Sequence, residues 1–117
     1  MGLHKDLPIY KVVYDLLAFV VALVGNMPRN LRRQLGEKLV DEGVHLTVLV
    51  FRANVSRDKA PHLTALLERL QVAELLLRLS QDLRCINRQQ YGKAVELTTS
   101  IGKQAGGWRR ASASPAS

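Results

Sequence analysis

The sequence is poor in cysteine and in aromatic residues. Its 117 residues include one cysteine, Cys85, and aromatic side chains make up only 5% of the chain. A single cysteine excludes a disulfide framework within the chain and a zinc site built from cysteines. The scarcity of aromatics argues against a surface on which successive nucleic-acid bases stack. Hydrophobic residues nevertheless make up 47% of the sequence, which is enough for the buried core of one small domain.

A long apolar run is also missing. The most apolar stretch, residues 16–24, is much shorter than the ~20 residues that a membrane-spanning helix requires. Asp6, Lys11 and Asp15 precede this stretch and no small-x-small cleavage pattern follows it, so it does not resemble a signal peptide. We therefore expect a cytoplasmic protein without membrane contact, in which this stretch belongs to a buried helix.

Apolar residues recur at helical spacing in four segments, and no segment alternates as a strand does. The second segment covers about residues 28–54, which predicts a helix roughly 40 Å long. The other boundaries follow from residues that cap, start or stop helices. We assign the start of helix one to Asp6 with Pro8 and its end to Gly25-Asn26. The start of helix three is assigned to Ser56 or Asp58 with Pro61, the start of helix four to Asn87, and its end to Gly106-Gly107.

Four helices with short connections predict an all-α, up-down-up-down four-helix bundle over residues 7–108. Residues 1–6 form an N-terminal segment, and 109–117, basic and then rich in serine and alanine, are predicted to be a disordered tail. Gly36 and Gly43 share one face of helix two, which fits either two tolerated glycines or the close approach of another helix. Helices one to three have more apolar surface than one bundle seam uses. We therefore expect self-association or a protein partner.

Residues with catalytic or metal-binding potential are few. Glu42 and His45 have the Glu-x-x-His spacing of di-iron bundles, but such sites need a second pair, which the sequence lacks. A surface glutamate and histidine are the favoured interpretation. Cys85 is flanked by Leu83 and Ile86 as well as by Arg84, which favours a small core or boundary residue over a reactive thiol. Because no phosphate loop or nucleophile motif is present either, we expect no enzyme activity, no metal and no cofactor.

Basic residues outnumber acidic ones by 17 to 10, which gives a net charge of +7. Most are arginines, whose planar guanidinium suits phosphate groups. We therefore expect salt-sensitive binding to RNA or DNA through backbone phosphates; the alternative is a solvated surface with ion pairs such as Glu74 with Arg78. The candidate binding residues are Arg29, Arg32, Arg33, Arg69, Arg78, Arg84, Arg88, Lys93, Lys103, Arg109 and Arg110.

Several stretches of the chain are similar to bacterial and phage four-helix-bundle proteins. They are residues 7–17 (LPIYKVVYDLL), 26–29 (NMPR) followed by Leu35-Gly36, 76–79 (LLRL) and 101–108 (IGKQAGGW). Within this superfamily the chain most resembles the accessory variability determinant (Avd) of diversity-generating retroelements. A related group is the proteins encoded by intervening sequences of large-subunit ribosomal RNA genes.

The Avd resemblance implies a homopentameric, positively charged barrel of four-helix bundles. Such a barrel binds the retroelement's reverse transcriptase and its RNA or cDNA, and supports mutagenic retrohoming, in which adenine-templated errors diversify a target gene. Arg29, Arg78 and Trp108 fit the family pattern, and no catalytic residue carries over because the polymerase is a separate protein. For Trp108 we favour packing against the end of helix four over contact with a base. The related group implies instead a structural or protein-interaction bundle without a retroelement role.

Overall fold

The computed structural model describes residues 7–113, and this part of the chain folds into four helices without a strand. Helix α1 is Pro8–Gly25. Helix α2 covers residues 29–55 and consists of an opening turn Arg29–Leu31, a π-helical segment Arg32–Gly36 and the α-helical Glu37–Val55. Helix α3 is Ala60–Asp82 and helix α4 is Arg88–Ala113. The prediction of an all-α fold with four helices is confirmed.

The core lies along the axis that the four helices share. Each helix packs against two others, in the cyclic order α1, α2, α3, α4, and the whole measures 53 × 21 × 20 Å. Leu16, Leu46, Leu66 and Ile101, one from each helix, are at most 1% exposed. Burial of each leucine or isoleucine stabilises the fold by about 1.5–3 kcal/mol. Because the apolar residues recur with the helical period, each helix can bury one apolar side at this axis, which accounts for the arrangement.

Helix α1 has the strongest apolar character. It has 18 residues and a mean hydropathy of 1.7, so by length and composition alone it could cross a membrane. One side of the helix, which includes Val13 and Val20, is buried in the bundle, and we interpret α1 as a core helix. It begins at Pro8; Asp6, the predicted cap, lies outside the described residues.

The two glycines of α2 mark the close approach of another helix, and that helix is α1. A Cβ atom at Gly36 would lie 2.6 Å from Cγ1 of Val24, and one at Gly43 would lie 2.9 Å from Cδ1 of Leu17. Both distances are shorter than van der Waals contact. Of the two interpretations of these glycines, the structure therefore supports close packing.

The turn between α2 and α3 differs from its prediction, because neither Ser56 nor Asp58 caps α3. The N-cap residue is Lys59, and Ser56 Oγ instead hydrogen-bonds to Nε2 of His62 at 3.0 Å. The Lys59 ammonium group reaches back to the end of α2, where it satisfies carbonyl groups that a helix terminus leaves without partners. Its acceptors are the carbonyl oxygens of Ala53, Asn54 and Ser56, at 3.0, 3.1 and 2.9 Å.

The prediction that Gly106-Gly107 ends the last helix is wrong, since α4 continues to Ala113. Residues 109–113, predicted as part of a disordered tail, are therefore helical, and residues 114–117 lie outside the described part of the chain. The glycines leave room for a side chain, because a Cβ at Gly106 would lie 3.4 Å from Nη1 of Arg110. Trp108 packs against the core as predicted, but from within the helix, with Nζ of Lys59 6.0 Å from its ring centroid.

Candidate nucleic-acid interface

The antiparallel topology brings two arginine-containing segments to one end of the bundle. The α1–α2 turn and the α3–α4 turn meet there, and side chains of both turns line a common groove. We call this region, residues 25–34 with 78–90, the arginine-rich end. Asp82 is the one carboxylate in these two segments. Their six arginines are Arg29, Arg32, Arg33, Arg78, Arg84 and Arg88.

Two of the six arginines have partners within the chain. Arg32 donates hydrogen bonds to the carbonyl oxygens of Gly25 and Met27, at 3.3 and 3.1 Å. Its side chain thereby caps the C-terminal end of α1. Arg78 forms an ion pair with Asp82, with Nε 3.6 Å from Oδ2, whereas the alternative interpretation of the charges paired it with Glu74. Both arginines remain exposed, and an exposed i,i+4 pair such as Arg78–Asp82 contributes only a few tenths of a kcal/mol.

The other four arginines are exposed, and within residues 7–113 no ion pair engages them. Two of them, Arg29 and Arg33, line a shallow groove together with Asn30 and Gln34. This groove lies at the N-terminus of α2, where the helix dipole makes additional cations mildly unfavourable and a bound anion favourable. The π-helical segment Arg32–Gly36 falls here as well, a geometry that often occurs at functional sites.

Of the remaining two arginines, Arg84 lies in the α3–α4 turn and Arg88 directly follows it. Arg84 has a left-handed backbone with φ of 62° and occupies the position after the helix where glycine is preferred. Its N–H donates to the carbonyl of Gln81 at 2.9 Å, and that of Cys85 donates to Ser80 at 2.8 Å, which is the Schellman pattern of a helix C-terminus. Cys85 is partly buried and packs against the core, as predicted for a boundary residue.

The start of α4 agrees with its prediction, since Asn87 is the N-cap. Its Oδ1 accepts the backbone N–H of Gln90 at 2.8 Å, and Oε1 of Gln90 accepts the N–H of Asn87 at 2.8 Å. This reciprocal capping box stabilises helices by about 1 kcal/mol. It fixes the position of Arg88, the first residue of α4, beside the turn.

Arg69, a predicted binding residue, lies elsewhere and has an internal partner. Its guanidinium forms a bidentate ion pair with Glu42 across the α2–α3 interface, including an Nε to Oε1 hydrogen bond of 2.9 Å. This hydrogen bond raises the pKa of Arg69 above its ordinary value. Glu42 is only 8% exposed, so the prediction of a surface glutamate is wrong, whereas His45 is exposed. The structure thus gives Arg69 a role in holding α2 to α3.

The other predicted basic residues lie along α4. Lys93 is little more than one helical turn beyond Arg88 and so lies close to the arginine-rich end, whereas Lys103, Arg109 and Arg110 lie far from it. Lys93 forms an ion pair with Glu96, with Nζ 3.9 Å from Oε1. Lys103 and Arg109 line a groove between α3 and α4 whose walls also include the carboxylates of two acidic residues, Glu68 and Glu74. Arg110 is exposed near the far end of the bundle. Lys103, Arg109 and Arg110 therefore do not form one site with the six arginines, and the acidic residues beside Lys103 and Arg109 make this side less favourable for a polyanion.

Two exposed apolar stripes follow the long sides of the bundle. The first is formed by α1 and α2, where Tyr10 and Tyr14 stack with ring centroids 6.2 Å apart. The second follows the outside of α3. The large exposed side chains of the first stripe are Tyr14, Val21, Val44, Val48, Phe51 and Val55, and those of the second are Leu75, Leu79 and Leu83. The predicted excess of apolar surface is therefore present.

Fold and charge distribution together define a small, basic four-helix-bundle protein with an arginine-rich end. A family model described as bAvd-like matches residues 7–112, and the chain belongs to this family. The resemblance to Avd proteins that the sequence motifs indicated is thereby confirmed. The chain matches no curated protein and no solved structure.

Proposed function

We propose that the protein is a non-enzymatic accessory factor of a diversity-generating retroelement that binds nucleic acid and the retroelement's reverse transcriptase in the cytoplasm, and so supports mutagenic retrohoming. Membership of the bAvd-like family supports the retroelement role. The observation that carries nucleic-acid binding is the arginine-rich end, where the fold gathers six arginines and one carboxylate. Such a concentration of guanidinium groups favours phosphate backbones.

A charge reversal at this end tests the nucleic-acid proposal. In the triple variant Arg29→Glu, Arg33→Glu, Arg88→Glu each new carboxylate lies in the first turns of a helix, where negative charge is favourable, so the variant is expected to fold. We expect RNA and DNA affinity to fall steeply, and the log–log slope of affinity against salt to decrease by about two to three, because each lost phosphate contact removes about 0.7–0.9 from it.

The matched control reverses three exposed basic residues at the opposite end of the bundle, none of which is a predicted binding residue: Lys11→Glu, Arg52→Glu and Arg57→Glu. Both variants change the net charge equally, so a difference between them reports position and not total charge. Equal losses of affinity, or no loss in the first variant, would show that the arginine-rich end is not the contact surface.

The apolar stripes support assembly into a homo-oligomer, for which the family resemblance suggests a pentamer. The two stripes lie on different helices, so contact between the first stripe of one copy and the second stripe of the next is heterologous. Such contacts form a closed ring where the rotation between neighbouring copies divides a full turn, as the pentamer requires. Light scattering is expected to give a mass several times the 13.0 kDa of one chain. A single-chain mass at micromolar concentration would contradict this. The reverse transcriptase would then bind the assembled ring.

The exposed stripes also favour a second candidate function, that of a structural or protein-interaction bundle whose basic residues contact an acidic protein surface. The salt dependence of RNA and DNA binding separates the two candidates. Genomic context provides an independent test: a neighbouring reverse transcriptase gene with paired template and variable repeats supports the retroelement role, and its absence supports the alternative.

A further inference from the structure

One groove at the arginine-rich end has a lining rich in hydrogen-bond donors. It lies between the end of α1 and the α3–α4 turn and is an open groove of about 540 Å³. No carboxylate belongs to its lining. The polar side chains that line it are Asn26, Gln81, Arg84, Asn87, Arg88 and Gln90.

Two of these amides are oriented by the capping box of α4. The side-chain oxygens of Asn87 and Gln90 each accept a backbone N–H at 2.8 Å. Because the oxygens have these partners, the two NH₂ groups are left to donate to other acceptors. Together with the guanidinium groups of Arg84 and Arg88 they offer the groove both charged and neutral donors, a combination that phosphate oxygens accept well.

The backbone of Arg84 adds a second argument. At φ of 62° an L-residue is less favourable than glycine, which adopts this conformation without steric conflict. Stability alone therefore favours glycine at this position, while the sequence places there a side chain with five N–H donors. Unfavourable backbone conformations of this kind cluster where side chains are positioned for binding.

We propose that this groove binds a phosphate group of a nucleic-acid strand, with Arg84 and Arg88 as its cationic partners and the amides of Asn87 and Gln90 as neutral donors. The proposal rests on the nucleic-acid binding proposed above and assigns one phosphate of the strand to a defined place. The phosphate is either an internal phosphodiester or a terminal monoester, and both present oxygens that accept hydrogen bonds.

The substitution Arg84→Gly tests the proposal because stability and affinity should change in opposite directions. We expect the Tm to rise by about 4 °C as the backbone conformation becomes favourable. The affinity for a labelled single strand of about 12 nucleotides should fall about tenfold, as expected for the loss of a charge-assisted hydrogen bond. Arg57→Gly, which removes one exposed arginine from the α2–α3 turn, is the matched control and should lower affinity less than about twofold.

Inorganic phosphate provides a readout that needs no nucleic acid. At constant ionic strength, millimolar phosphate should raise the Tm of the wild-type chain and of Arg57→Gly but not that of Arg84→Gly, because a ligand stabilises only a fold that binds it. Oligonucleotides with and without a 5′-phosphate then distinguish the two sources: tighter binding of the phosphorylated strand identifies a terminal monoester, and equal binding an internal phosphodiester.

Equal losses of affinity in Arg84→Gly and Arg57→Gly would overturn the proposal that the groove binds a phosphate. The arginine-rich end would remain the proposed contact surface. A wild-type chain that binds no oligonucleotide would overturn the proposed function, and the phosphate-induced shift in Tm would then decide on the groove independently. A fall in Tm on Arg84→Gly would also overturn the proposal, since loss of affinity would then follow loss of structure.

Discussion

The Glu42–Arg69 ion pair predicts that its two partners contribute unequally to stability. The Glu42 side chain is 10% exposed, and that of Arg69 is 37% exposed. Replacing Arg69 with alanine leaves a carboxylate in the α2–α3 interface without its counter-ion, whereas replacing Glu42 lets the arginine extend into water. The energetic cost of breaking the pair should therefore depend on which partner is removed.

The magnitudes follow from burial. Removing one partner of a fully buried pair costs about 3–5 kcal/mol, and the partial exposure of Arg69 reduces this figure through solvent screening. We expect Arg69→Ala to lower the free energy of unfolding by about 2–3 kcal/mol and Glu42→Ala to lower it by about 1 kcal/mol. The double variant Glu42→Leu, Arg69→Met should lie close to the wild type, since an apolar pair of similar volume often replaces an ion pair without loss.

Urea unfolding followed by circular dichroism at 222 nm measures these differences, with the fluorescence of Trp108, the single tryptophan, as a second probe. The slope of the free energy with urea should remain unchanged among the variants. A loss from Arg69→Ala that is no larger than that from Glu42→Ala would refute the asymmetry argument. The affinity of Arg69→Met for RNA and DNA should equal that of the wild type, because its guanidinium is engaged within the bundle.

Four further substitutions test the packing and the turns. Gly36→Ala should lower the free energy of unfolding by about 1–2 kcal/mol because the new methyl group meets Val24. Gly92→Ala should raise the free energy of unfolding by about 0.5–1 kcal/mol, because its Cβ would have no atom beyond the neighbouring helix backbone within 4 Å. Urea unfolding compares the two, and a gain from Gly36→Ala would contradict close packing of α1 on α2. Lys59→Met should lower the free energy of unfolding by about 1–2 kcal/mol, because the carbonyl groups at the end of α2 lose their donor. It should also shift the fluorescence of Trp108, and an unchanged spectrum would contradict the contact between Lys59 and the Trp108 ring. Asn87→Ala should lower stability by about 1 kcal/mol, measured by thermal unfolding, and no change would contradict the capping box.

The helices were predictable because their apolar residues recur with the helical period, which decides what a bundle buries. The burial of Glu42 was predictable too, since it falls between Leu39 and Leu46 on the same buried stripe. Its residue type, typical of surfaces, led to the wrong assignment. The position within the helical period was the better guide, because a paired carboxylate can remain in an apolar interface.

Other features depend on contacts that local sequence rules do not contain. Gly106-Gly107 resembles a helix stop, yet α4 continues through it because Ala105 and Trp108 pack against the core. This tertiary packing outweighs the cost of about 1 kcal/mol for each glycine. The left-handed conformation of Arg84 has no sequence signal either, since arginine is uncommon where glycine is preferred.

The clustering of charge follows from topology and not from any one motif. Two arginine groups about 50 residues apart in sequence meet because, in an up-down-up-down bundle, the first and third turns lie at the same end. The apolar stripes, by contrast, follow the sides of the helices. Self-association through these stripes, as we propose, would bury Leu79 and Leu83 and bring Arg78 close to the interface. It would leave the α1–α2 turn and the start of α4 open, and cyclic symmetry would place these parts of every copy on the same rim of the ring. Each added copy would then contribute further arginines, Arg29, Arg33 and Arg88 among them, to one surface, so assembly would increase the affinity for a long polyanion by multivalent contact without any new residue.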